Sequence, residues 1–192
     1  MKSATLSIIF FIITLNASAQ ANCDPQAFKK LVSVSKKHAL SDRQFTDALV
    51  IVRQLESAGC PDYEVKIKGT NYQLACLTEL LGTLCIKTNT PAAVNEYVLY
   101  LKRHSASAEE QMAYSFEQIF VKQPAYVLAA VGQNTALLDQ LEWGVVNNQP
   151  AIKLNNYKTA FYSTYPAVKL LYPKYKKQVD YLLNAIAAEL KG

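Results

Sequence analysis

Apolar residues recur at helical spacing along most of the chain, and polar residues mark where the runs begin. Ser41-Asp42-Arg43-Gln44 is a capping-box pattern. Phe45, Leu49, Val52 and Leu55 follow on one helical face, and Gly59 is the stop. Asp24 is placed to cap a helix that begins at Pro25, so Asp24–His38 and Ser41–Ala58 read as an antiparallel hairpin. Cys76, Leu77, Leu80, Leu81 and Leu84 form the next apolar stripe. Thr90-Pro91 opens a helix carrying Val94, Tyr97, Val98 and Leu101. Ser107-Ala108-Glu109-Glu110 is a second capping box, ahead of Met112, Phe116, Ile119 and Phe120. Shorter helices are predicted over Ala125–Val131 and Thr135–Val146. After Pro173, Val179, Leu182, Leu183, Ile186 and Leu190 line one face of a terminal amphipathic helix.

The only alternating run is Tyr63 to Lys68. No partner strand is evident, so the expectation there is a loop or a lone extended piece. Pro25, Pro91, Pro124 and Pro150 each follow a polar residue and open an apolar run, the place where proline best fits a helix. Pro-Ala recurs at Pro91, Pro124, Pro150 and Pro166, but at unequal intervals, so no fixed repeat holds. The pattern predicts an all-α fold: an irregular bundle of about eight or nine helices, with solenoid-like stacking as its variant.

The start of the chain follows a different pattern. Met1-Lys2 is positive, and Leu6 to Leu15 is almost unbroken apolar, with only Ser7 and Thr14 between. Ten helical residues rise ~15 Å, half a bilayer. Small residues follow in Ala17-Ser18-Ala19-Gln20-Ala21. Residues 1–19 therefore read as a secretory signal peptide cut after Ala19, with Ala21 as the alternative site, and 20–192 as a single all-helical domain. The expected destination is the periplasm or the medium. No later stretch is apolar for about 18 residues, so no transmembrane span is expected in the mature chain.

About 173 residues remain after that cut, enough to bury a core. The chain is 51% hydrophobic and 18% charged, a composition that disfavours disorder, and six glycines are few for an all-β protein of many turns. The cysteines are Cys23, Cys60, Cys76 and Cys85. An even number in an exported chain implies two disulfides. The hairpin favours Cys23–Cys60 and leaves Cys76–Cys85. Nine helical residues span ~13 Å, however, beyond disulfide reach unless the helix breaks at Gly82. An unbroken helix would instead require bridges from the hairpin to this element, so the pairing stays open. A zinc site is disfavoured: there is no Cys-x-x-Cys, and His38 and His104 are not spaced with the cysteines.

Catalytic signatures are lacking. There is no Gly-x-Ser-x-Gly, no His-Glu-x-x-His and no glycine-rich phosphate loop, and no cofactor is expected. Glu109-Glu110 is explained by the positive end of a helix, and His104 by the carbonyl end of another. Charge is more informative. Residues 105–150 hold Lys122 against Glu109, Glu110, Glu117, Asp139 and Glu142. Residues 151–192 hold seven lysines against Asp180 and Glu189. In the basic segment Lys153, Lys158, Lys169, Lys174, Lys176 and Lys177 interleave with Tyr157, Tyr162, Tyr165, Tyr172 and Tyr175. Such a segment suits a protein partner or an anionic glycan, the alternative being rings buried between helices with lysines solvating the outer face. Nucleic acid is disfavoured by export and by the absence of arginine from this segment.

Residues 75–123 resemble a known family. Ala75-Cys76-Leu77-Thr78-Glu79-Leu80-Leu81-Gly82 is similar to the Cys-bearing helix of small exported immunity proteins, which protect bacteria from type VI secretion amidase effectors. Cys85, Pro91 and the ending Tyr100-Leu101-Lys102-Arg103-His104 are similar to that family's second cysteine and following helix. The resemblance implies a helical, disulfide-bonded periplasmic protein that occludes an enzyme rather than catalysing a reaction. The chain departs from the pattern by continuing some 70 residues further with no cysteine after Phe120, and no functional residue is carried over. The expectation is a non-enzymatic protein that binds another protein of the cell envelope, as an inhibitor or immunity factor. The alternative is a glycan-binding module or hydrolase using the Tyr/Lys-rich region.

Overall fold

The first helical pair forms where its caps place it. Pro25–Ser35 (α1) starts at Asp24, whose Oδ1 accepts the Gln26 N–H at 2.8 Å. Asp42–Ser57 (α2) starts with the full capping box: Gln44 N–H donates to Ser41 Oγ and Ser41 N–H donates to Gln44 Oε1 at 3.0 Å. Gly59 ends α2 with φ +69°, a left-handed conformation that suits glycine. Cys23 and Cys60 meet at the open end of this hairpin as a disulfide, Cα atoms 5.8 Å apart. The computed structural model describes residues 23–60, 62–66, 72–104 and 110–191. The proposed signal peptide, Glu109 and the second cap residue Ser107 lie outside them.

Two expectations are corrected immediately after the hairpin. The alternating run has a partner: Asp62–Lys66 (β1) pairs antiparallel with Tyr72–Cys76 (β2), Asp62 opposite Cys76 and Lys66 opposite Tyr72. The partner strand escapes the pattern because it leads straight into a helix, and Cys76, read as the first residue of the helical stripe, is the last residue of the strand. The second disulfide is also absent. Leu77–Thr88 (α3) runs through Gly82 without a break, so Cys76 caps its start while Cys85 lies buried in its third turn. Helical rise holds the two apart. Neither is bridged to the hairpin, because Cys23 and Cys60 already satisfy each other. Gly82 serves packing instead: an added Cβ would stand 3.1 Å from Ser115 Cβ.

Seven more helices follow: Pro91–Arg103 (α4), Glu110–Lys122 (α5), Pro124–Val131 (α6), Thr135–Asn148 (α7), Tyr157–Thr164 (α8), Pro166–Leu171 (α9) and Lys176–Glu189 (α10). The described residues thus hold ten helices, slightly more than expected, because the C-terminal region divides at Pro166 and Pro173. Pro91, Pro124 and Pro166 stand at helix starts. Pro150 does not; it sits in a turn, where Ile152 N–H donates to Gln149 O at 2.9 Å, and the next helix waits until Tyr157.

Alternate helices stack. α1, α3, α5, α7 and α10 each pack on the next, while α4 packs on α6 and α6 on α9. Ion pairs tie α2 to α4: Arg53 to Glu96 at 2.8 Å, and Arg103 Nε to Glu56 at 2.7 Å. The apolar face of every helix enters one continuous core running from Cys23 to Ile186. Helix α5 is its centre, with Met112, Phe116, Ile119 and Phe120 all buried. Small residues let its neighbours approach on both sides: Ser115 meets Gly82 of α3, and Ala113 meets Gly144 of α7.

Candidate interaction surface

The basic C-terminal segment separates into an interior and an exterior, and its tyrosines split between them. Tyr165 is only 3% exposed. Its ring lies 5.0 Å from Phe161 and 5.1 Å from Phe120, and its hydroxyl donates to Glu117 Oε1 at 2.6 Å. Burial, then the hydrogen bond to the Glu117 carboxyl, pushes this phenol well above its ordinary range. Glu117 also accepts from Asn148 at 3.1 Å and Gln149 at 3.0 Å, so the interior carboxyl binds α5 to the end of α7 and to the α8–α9 junction. Tyr175 is likewise buried, directly before α10. These two tyrosines belong to the core and are corrected out of the candidate surface. The reason is spacing: Phe161, Tyr165 and Val168 share the inward face of consecutive short helices.

Tyr157, Tyr162 and Tyr172 are half-buried and pack against the core. The lysines are exposed: Lys153, Lys158, Lys169, Lys174, Lys176 and Lys177. The structure brings several of these residues together around Asp180, which accepts from Tyr172 Oη at 2.8 Å and from Lys176 Nζ. Lys176 also stands 5.7 Å above the Tyr172 ring, and Lys158 stands 5.8 Å from the Tyr157 ring. The hydrogen bond from Lys176, then that from Tyr172, holds the Asp180 carboxyl below its usual range. Burial raises Tyr162, and Tyr172 and Asp180 beside it add to the shift. Lys153, Lys158, Lys169, Lys174 and Lys177 form no ion pair among the described residues. Their charge is available to a partner.

Two residues of this region were not singled out by their type. Leu170 is 83% exposed and Leu154 44%. Leu170 projects from α9 next to Lys169, while Leu171 turns toward the core. One position along a helix rotates a side chain by about 100°, so only one leucine of such a pair can face inward. That pairing was the signal available in the sequence.

Among its described residues the acidic segment does not form a matching acidic face. Glu117 and Glu142 are buried, while Glu110 and Asp139 are exposed. Asp139 already accepts from Tyr181 Oη at 2.7 Å. Beside that bond, a pocket of about 180 Å³ opens between the α6–α7 turn and α10, with Gln133, Thr135, Lys177 and Gln178 on its walls.

The other sequence candidates have structural roles. His104 Nε2 lies 2.9 Å from Glu56 Oε1, and its ring stacks 4.5 Å from Tyr100. Burial raises the Glu56 carboxyl, but hydrogen bonds from Arg103 and His104 outweigh it and hold the group low. Glu110 sits exposed in the first turn of α5. The Cys85 thiol is pushed up to about 12 by burial, which leaves it without nucleophilic thiolate at neutral pH. Among the described residues no group of three His, Cys, Asp or Glu side chains is placed to hold a metal ion, and no helix is long and apolar enough to cross a membrane. No protein-family model, no curated protein and no solved structure matches the chain.

Proposed function

We propose that the mature chain is an exported helical protein that acts by binding another protein, as an inhibitor or immunity factor does, through the lysine-rich face of α8–α10. One observation carries this reading: the segment that holds five exposed lysines without ion pairs among the described residues also holds Leu170, next to Lys169 and 83% exposed. Exposed cations beside an exposed leucine suit an acidic protein surface with an apolar recess. The Cys23–Cys60 disulfide supports an oxidising compartment. Stacking of alternate helices supports the solenoid-like reading of the bundle, and such arrays bind partners over extended surfaces. The resemblance over residues 75–123 favours the same class of role.

A glycan reading receives less support. Sugar rings and bases stack on open aromatic faces, and here the tyrosine rings lie against the core. The experiment is a pull-down of the full mature chain from envelope extract, read by mass spectrometry. The expected result is one stoichiometric protein partner, lost in a Lys169→Glu, Leu170→Asp double variant that keeps the wild-type melting curve. Retention on peptidoglycan or anionic glycan, lost when Lys174, Lys176 and Lys177 are replaced, would sink the protein-binding reading.

A further inference from the structure

We propose that Glu142 is a pH-sensitive latch on the C-terminal helix: α10 holds tightly to α7 while the Glu142 carboxyl keeps its proton, and loosens when the proton leaves. Glu142 lies on α7 at 8% exposure, and its Oε1 is buried with no hydrogen-bond partner. Native proteins rarely leave such an atom unsatisfied, and a charged carboxylate in that position lacks the donors it needs. Glu117 shows the contrast: buried more deeply still, it receives three hydrogen bonds.

The groups facing Glu142 increase the cost of charge. Glu189 and Tyr181 lie across the seam on α10, and Asp139 lies one turn back on α7. From α5, Glu117 meets α7 through its Cβ at Gly144, and its carboxyl is taken up by Asn148, Gln149 and Tyr165. From α4, which also touches α7, no charged group acts on Glu142. Lys177 stands at the start of the α7–α10 seam, beside Gln133 and Thr135, rather than against the carboxyl. Burial first, then Glu189 and Asp139, pushes Glu142 from 4.5 to about 7. The docked carboxyl therefore keeps a proton that the undocked one releases. Docking is fully stable below pH 4.5, weakens as pH rises from there, and has lost the whole contribution above about 7.

The consequence concerns the binding face. Helix α10 carries Lys176, Lys177 and Asp180, so loosening it disperses part of the surface described above. That regulatory consequence rests on the proposed binding function; the latch itself does not.

Hydrogen exchange on the full mature chain tests it, at about pH 6 and pH 8, corrected for intrinsic exchange rates. In the wild type, protection of the α10 amides should fall about tenfold between the two, while α1 and α3 hold steady. In Glu142→Gln the α10 protection should become independent of pH. In Glu189→Gln, an exposed change that leaves the core intact, the fall should end at lower pH, so less of it remains between pH 6 and pH 8. Unchanged α10 protection in the wild type overturns the latch. So does an equal loss across all helices, or a fall that survives in Glu142→Gln.

Discussion

Replacing Gly144 with alanine tests the centre of the fold. A Cβ at this position would lie 2.3 Å from the Ala113 carbonyl oxygen, 2.9 Å from its carbon and 3.1 Å from Glu117 Cβ. Ordinary contact needs roughly another 1 Å. The blocking atom is backbone on α5, in a helix whose carbonyls are committed to their own ladder, so it cannot swing aside. The two helices must separate instead. Overpacking of this kind costs about 1–3 kcal/mol. Separation also loosens the buried face of α7, which holds Leu137, Leu141 and Val145, and stretches the hydrogen bonds of 3.1 and 3.0 Å from Asn148 and Gln149 to Glu117. Hydrogen bonds to a charged group contribute about 1.5–3 kcal/mol each, and partial loss of two adds about 2 kcal/mol. Alanine returns about 1 kcal/mol through its better helix propensity. The net expectation is a destabilisation of about 2–4 kcal/mol, or a fall in Tm of roughly 5–15 °C for a chain of this size. Urea denaturation and thermal melting followed by circular dichroism measure both. Gly82→Ala is the internal control. Its new Cβ would meet Ser115 Cβ at 3.1 Å, a contact a small shift relieves, so helix propensity offsets most of the cost and stability should stay within about 1 kcal/mol. If Gly144→Ala melts with the wild type, α5 and α7 do not approach as described, and the close-packed crossing is wrong.

Two further predictions follow from the interior. Tyr165→Phe removes the hydroxyl that donates to buried Glu117 and should cost about 1.5–3 kcal/mol by urea denaturation, whereas Tyr157→Phe, on a half-buried ring, should stay near wild type; equal effects would place Tyr165 outside the core. Alkylation without reductant should leave Cys85 unmodified in the folded chain and add two groups, at Cys76 and Cys85, in denaturant; uptake of none in denaturant would restore a second disulfide.

The helices were legible because each signal for them is local. Ser41 and Gln44 cap each other within one turn, and the stripe Phe45, Leu49, Val52 and Leu55 is buried as its spacing requires. Hairpin geometry favoured the Cys23–Cys60 bridge but left the pairing open; the tertiary structure closes it, because the second helix returns the chain to the start of the first. Pro150 shows the limit of such signals. Its local pattern matches Pro91 and Pro124, yet the chain turns there, with Ile152 buried and its N–H donated to Gln149 O. The candidate surface was legible in charge and not in burial. Lysines remain outside because their ammonium groups stay solvated, whereas a tyrosine goes either way. Tyr165 is drawn in by Glu117, forty-eight residues away in sequence, and no local pattern carries that contact.

By itself the sequence determined what depends on neighbours within a few residues: the helical class, most helix starts and the basic character of the last segment. The tertiary structure decided what depends on distant residues meeting. It made Gly82 a packing contact rather than a break, and so left Cys76 and Cys85 unbridged to each other. It buried Glu117 among three donors and Glu142 among other carboxylates, although both are glutamates on amphipathic helices. The physical reason is the same in each case. Periodicity sets which face of a helix turns inward, but the cost or benefit of a polar group there is set by what the opposing helix supplies.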